Sequence, residues 1–159
     1  MKSAGAVFSD CRRWRYLLWR CWNARGAVAN FVMLNPSTAD EVSLDPTCAR
    51  ARSYAERWGF GALVVTNIFA WRATDPQRLK RVRDPVGEAN DRAIVRAAKQ
   101  ADLVICAWGN HGNHLMRATQ VTQMLMTGGI ELHVLRLNGS GVPAHPLYLP
   151  GKLKPRRWF

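Results

Sequence analysis

Apolar residues in this chain come in short runs that end in polar turns, and these runs alternate with stretches of helical spacing. Residues 15–22 are rich in aromatics and predict a strand. A turn follows near Asn23 to Gly26, and residues 28–34 predict a return strand, either as a hairpin or as a neighbour in the sheet. Residues 47–58 predict a helix, with Thr47 or Asp45 at its cap and Gly59 beyond its end. Residues 61–69 and 102–108 read as buried parallel strands, and residues 131–135 as a fourth, shorter one. Pro85 is placed to open a helix that runs to about Gln100, with Val86, Ala89, Ala93, Ile94 and Ala97 in register. A later helix carries Leu115, Ala118, Val121 and Leu125 on one face, and Gly128–Gly129 stops it. Residues 1–11 read as a loose lead-in, and residues 151–159 as a basic tail. Trp14, Trp19 and Trp22 are expected to cover one face of the sheet.

Strand and helix alternate, so the expected fold is α/β. It is a three-layer sandwich with a central, mostly parallel four-stranded sheet plus an N-terminal hairpin or extra strand. The 159 residues suit a single domain spanning 1–159.

Charge changes this picture more than composition does. There are 23 Lys and Arg against 11 Asp and Glu, a formal charge of +12. Such an excess points to a polyanion, nucleic acid first and an anionic membrane surface second. No run approaches a transmembrane span. The start of the chain has no continuous apolar segment, because Arg12, Arg13, Arg15 and Arg20 interrupt it. The four cysteines form no Cys-x-x-Cys pair, so they are expected to be reduced thiols in a cytoplasmic protein, without a metal or other cofactor.

Chemistry is expected where strands end. The apolar run that closes on Leu34 breaks into Asn35-Pro36-Ser37-Thr38, the chemistry of a turn, and a turn between a strand and a helix is where open α/β sheets hold ligands. Three more polar turns follow apolar strands: Asn67 with Phe69, Trp108-Gly109-Asn110-His111, and Ala144-His145-Pro146. In a parallel sheet these ends converge on one edge. The chain has no Gly-x-Ser-x-Gly nucleophile and no Gly-x-x-x-x-Gly-Lys phosphate loop. His111 and His114 lack a third metal ligand. The segment holding Arg78, Lys80, Arg81 and Arg83 reads either as a solvated basic helix or as a phosphate-contacting surface.

The four turns, in this order, resemble the motif series of the uracil-DNA glycosylase superfamily. That series runs from an Asp-Pro or Asn-Pro loop through a strand ending in Asn and a Trp-Gly-x-His segment to a final His-Pro loop. The resemblance covers roughly residues 28–150, and the Asn35-to-Asp40 version is also similar to the opening of an uncharacterised bacterial and phage family. It implies a DNA glycosylase that flips a base and acts on double- or single-stranded DNA as a monomer. Asn35 would orient the attacking water, and His145 would face the departing base or the adjacent phosphate. Asn67 would pair with the base edge, with Phe69 or Phe31 stacking on it. Leu147 or Tyr148 would be the wedge entering the duplex. Pro36, His111, Pro146, Lys152, Lys154 and Arg156 would contact DNA. Asp40 or Asp45 would be either a carboxylate base or a capping and loop residue.

Ser37 stands where the strict uracil enzymes carry a Tyr that blocks the pyrimidine 5-position. Its small side chain implies room for a C5 substituent, as in hydroxymethylated or glucosylated cytosine of phage DNA, with defence as the setting. The rivals are ordinary uracil repair, with the gap filled by a ring such as Trp71, a DNA-binding module without turnover, and a hydrolase of free nucleotides.

Overall fold

Phe31, Val32 and Met33 are consecutive and all buried, so the strand that holds them must be covered on both faces. The computed structural model describes residues 3–159. Within them lie strands β1 (Ala4–Phe8), β2 (Arg15–Cys21), β3 (Val28–Met33), β4 (Ala62–Asn67), β5 (Leu103–Cys106), β6 (Leu132–Val134) and β7 (Arg156–Arg157). The α-helices are α1 (Pro46–Arg57), α2 (Asn90–Gln100) and α3 (Arg117–Thr127), with 3-10 segments at Pro76–Arg81 and Asn110–Met116.

The strands form one sheet in the order β1-β2-β4-β3-β5-β6-β7. Its four central strands, β4-β3-β5-β6, are parallel, and β1, β2 and β7 run antiparallel at the edges. The α/β class holds, but the sheet has seven strands and not four. β2 pairs with β1 and β4, so the strands at 15–21 and 28–33 are not hairpin partners. The lead-in supplies β1, and the basic tail supplies β7.

Phe31 and Met33 pack toward α1 with Cys48, Ala51 and Tyr54. Val32 packs on the other side with Ile94 of α2 and with Val121 and Leu125 of α3. The helices therefore make the two outer layers. Asp45 caps α1 by accepting from the Cys48 amide at 2.8 Å. α2 begins at Asn90 rather than Pro85, because Asp84 accepts from the Gly87 amide and Gly87 takes a left-handed φ of 92° in the intervening turn. Leu115 is 63% exposed and lies ahead of α3 in a left-handed kink, so it does not share the buried face. The tryptophans also divide: Trp22 packs on the α1 side, Trp19 lies against α2, and Trp14 meets Trp71 edge-on. Among the described residues no helix is long and apolar enough to cross a membrane.

Register sets the working edge. Met33 lies beside Asn67, and Val32 beside Cys106, which in turn lies beside Val134. The C-terminal ends of all four parallel strands are therefore level. The loop after β3 leads to α1 on one face, whereas the loops after β4 and β5 lead to helices on the other. That reversal opens a crevice at the end of β3.

Candidate functional site

The crevice is a cleft of about 560 Å³. Asn35, Ser37, Asp45, Asn67, Trp108, Gly109, Asn110, His111, His145 and Leu147 all line it, together with Arg15 and Cys48. Each of the four turns thus contributes to one cavity. Gly109 joins two of them: its φ of 77° suits glycine, its amide donates to the Pro143 carbonyl, and a Cβ on it would lie 3.3 Å from the His145 Cβ.

The two asparagines are held in opposite senses. The Nδ2 of Asn35 donates to the carbonyls of Pro36 (3.0 Å) and Ala73 (2.7 Å). Carbonyls only accept, so the amide nitrogen must face them, and Oδ1 is the atom left for a ligand. Asn67 is 2% exposed at the end of β4, and its Oδ1 accepts from Arg15 at 3.1 Å. A guanidinium only donates, so Nδ2 is the free end here. The buried Asn90 donates to the Asn67 and Ile68 carbonyls and fixes the backbone beneath it.

His145 accepts the Leu147 amide on Nδ1 at 3.2 Å. Burial pushes its pKa below the ordinary value, and Asp45 opposes this only in part. The neutral imidazole therefore keeps its proton on Nε2 and can donate it. Burial pushes the Cys48 thiol up to about 12, so it stays protonated near neutral pH and is no nucleophile.

The two carboxylates are occupied. Asp40 accepts the Val42 and Ser43 amides in a tight turn, which hold its pKa down, and it does not line the cleft. Asp45 does line it, while accepting the Cys48 amide and, at 3.4 Å, that of Ala39.

Several expected contacts lie elsewhere. Phe31 is fully buried, stacked on Trp58 and Tyr54 under α1. Phe69 is fully buried in the opposite core, with the His114 ring beside it. Neither lines the cleft, because Phe31 sits on a β3 position that faces α1, and Phe69, in the bend after β4, turns into the core under α2 and α3. Pro36 and Pro146 are buried and shape their loops rather than presenting a surface. Lys152, Lys154 and Arg156 are exposed but lie outside the cleft lining. Tyr148 is 94% exposed with a left-handed φ of 70°, next to Leu147 at the cleft.

Ser37 bonds Thr74 through their hydroxyls at 3.1 Å, and both face an adjoining recess of about 670 Å³. Arg12, Arg13, Arg72 and Arg78 line that recess with Trp71. Trp71 therefore does not fill the gap beside Ser37 within the cleft. Of the recess arginines, Arg78 belongs to the basic segment read as a solvated helix or a phosphate-contacting surface; Arg12, Arg13, Arg72 and, in the cleft, Arg15 were not assigned to a site from the sequence. Among the described residues no three His, Cys, Asp or Glu side chains gather as metal ligands would.

Residues 15–147 match the family described as "Protein of unknown function (DUF1643)". No curated protein and no solved structure matches the chain.

Proposed function

The chain belongs to the DUF1643 family, and we propose that it is a monofunctional DNA glycosylase that hydrolyses the N-glycosidic bond of a C5-substituted pyrimidine. The observation that carries this reading is the set of fixed polarities in one cleft: an acceptor at Asn35, a donor at Asn67 and a neutral imidazole N–H at His145. Hydrolysis of a nucleoside can use all three groups. Asn35 Oδ1 accepts a hydrogen bond from the attacking water and aims its oxygen at C1′. The C1′–N1 bond breaks with its electron pair going to the base, and the water oxygen bonds C1′ while its proton passes to solvent. His145 Nε2–H and Asn67 Nδ2–H donate to the base as it becomes anionic. No strong base is required of the amide, because positioning and electrostatic stabilisation carry the step.

Ser37 favours a bulky base. A substituent at C5 would pass the Ser37–Thr74 pair into the polar recess, which suits hydroxymethylated or glucosylated cytosine in phage DNA, with defence as the role. The net charge of +12 and the recess arginines fit a phosphate backbone. Tyr148 and Leu147 are the wedge at the rim.

A DNA-binding module without turnover is the second reading. It is favoured by one observation, that Asp40 and Asp45 are both engaged by backbone amides.

The test is incubation with DNAs carrying cytosine, uracil and C5-extended pyrimidines, with detection of free base and abasic sites. Release of a C5-extended base is expected, and Asn35→Ala and His145→Ala should each slow it at least about tenfold, near 1.4 kcal/mol of transition-state stabilisation. Efficient removal of uracil with every extended base untouched would overturn the substrate assignment. Binding without release from any DNA would select the module.

A further inference from the structure

Arg15 and Arg117 are buried alike, each 1% exposed. Arg117 is fully provided for. Its Nε donates to the Ile68 carbonyl, one terminal nitrogen to Gln120, and the other to the Asp91 carboxylate at 2.5 Å. Its charge is matched, and it ties α2 and α3 to the end of β4.

Arg15 is not matched in this way. It donates to the Ala39 carbonyl at 3.2 Å and to Asn67 Oδ1 at 3.1 Å, and its buried Nε–H has no partner. Among the described residues it makes no ion pair. The charged or titratable groups around it are Asp45, Cys48 and Arg72, and Cys48 is a neutral thiol. The buried Asp45 carboxylate offsets part of this charge from beyond ion-pair distance, and a buried cation matched only in part is costly to the fold, a cost that falls when a further anion arrives. Arg15 lines the cleft, so that anion would be a ligand.

We propose that Arg15 is a positioning residue that holds Asn67 as a donor and supplies the positive charge against which the departing base anion forms. This rests on the glycosylase reading. The bonds run in a chain from the guanidinium N–H to Asn67 Oδ1, through the amide, and from Nδ2–H to the base. A hydrogen bond into the amide oxygen draws electron density from the nitrogen and strengthens it as a donor. Bond cleavage leaves an electron pair on the base, so the attraction grows from ground state to transition state, as catalysis requires. His145 then has no need to be charged: the imidazole gives a neutral hydrogen bond while Arg15 gives the charge. The base leaves as an anion and takes its proton from water afterwards.

The experiment compares wild type, Arg15→Gln and Arg15→Lys in single-turnover base release from DNAs whose pyrimidines differ in N1 acidity through the C5 group. Arg15→Gln keeps an N–H for Asn67 but no charge. Its loss should be at least about tenfold for the least acidic leaving base and should shrink as acidity rises, and Arg15→Lys should recover part of it. An equal loss on every base, or none, in folded Arg15→Gln overturns the proposal.

A titration of wild type with free pyrimidines keeps the question open to test if the variants do not fold. It uses bases with electron-withdrawing C5 groups, followed by calorimetry above and below each base's own pKa. The anion should bind at least about tenfold more tightly than the neutral base, and equal affinity overturns the proposal. This arm also separates the two readings. Should wild type release no base from any DNA, the glycosylase reading falls, while the preference for the anion still decides the role of Arg15.

Discussion

Asn35 just beyond β3 and Asn67 at the end of the neighbouring β4 face the same cleft and carry the same amide, yet they present opposite atoms to it. The difference lies entirely in what stands behind them. Two backbone carbonyls turn Asn35 into an acceptor, and one buried guanidinium turns Asn67 into a donor. A residue type therefore does not define its role in a site. The partner on its far side does, because that partner uses up one of the two polarities an amide offers.

The sharpest way to break this comparison is to make one substitution at both places. In Asn35→Asp a carboxylate faces two carbonyl oxygens, so its folded pKa is raised and the variant should be less stable by about 1–3 kcal/mol at neutral pH. The penalty should vanish as pH falls below the unfolded value of about 3.9, where the carboxyl is protonated in both states. In Asn67→Asp the carboxylate meets the only partly matched Arg15, so its folded pKa is lowered. That variant should gain about 1–2 kcal/mol above the unfolded pKa and lose it as pH falls through the folded one. Base release should nevertheless fall, since the donor is gone. Thermal melts from neutral to acid pH give both signs, and shifts in the same direction would refute the fixed polarities.

His145 sharpens the comparison from a third side. Its lowered pKa keeps it neutral, and protonation would place a proton on Nδ1 and displace the Leu147 amide. Base release should hold down through the ordinary imidazole value of 6.5 and decline only below it. The same lowering means that the unfolded chain takes up the proton first, so His145 costs stability as pH falls through its unfolded pKa. A pH profile of single-turnover rates, set against His145→Ala, checks this. An acid limb centred above 6.5 would show that the histidine's pKa is not lowered, and a loss of rate as pH rises through that region would show the charged form to be the working one.

The smallest expected effect concerns charge outside the cleft. Arg13→Gln with Arg78→Gln, in the recess, should weaken DNA binding and flatten its dependence on salt by about one to two released counterions. Lys152→Gln with Lys154→Gln should do less, because neither lysine lines the cleft or the recess. A larger flattening for the lysine pair, measured by titration across salt, would mean that the duplex runs along the tail instead.

The convergence of the first three turns was legible in the sequence, because each follows an apolar parallel strand and the register brings those ends level; the His145 loop lies well beyond β6 and reaches the edge through the Gly109–Pro143 and Ala144–Arg136 hydrogen bonds. The α1 cap was legible only as a choice between Thr47 and Asp45, and the structure gives Asp45, with the helix opening on Pro46. The edge strands were not legible: β1 carries small and half-buried residues, and β7 is Arg156–Arg157 with no apolar content. Phe31 and Phe69 misled because an aromatic near a motif is compatible with either face of a strand, and alternation alone does not say which face holds the ligand. Arg15 was missed for a deeper reason. A buried arginine and a surface arginine look the same in one dimension, and the contact that gives it meaning is with Asn67, which lies far along the chain.

Tyr148 also bears on how such a protein can be altered. Its ring is almost wholly in solvent, and its backbone sits in a region that costs an L-residue about 1–2 kcal/mol. No layer of the sandwich leans on that side chain, so exchanging it leaves the packing elsewhere intact, and a glycine there would even relieve the backbone. The protrusion is thus a detachable part. Its side chain can be lengthened, shortened or softened while the cleft behind it stays under separate control.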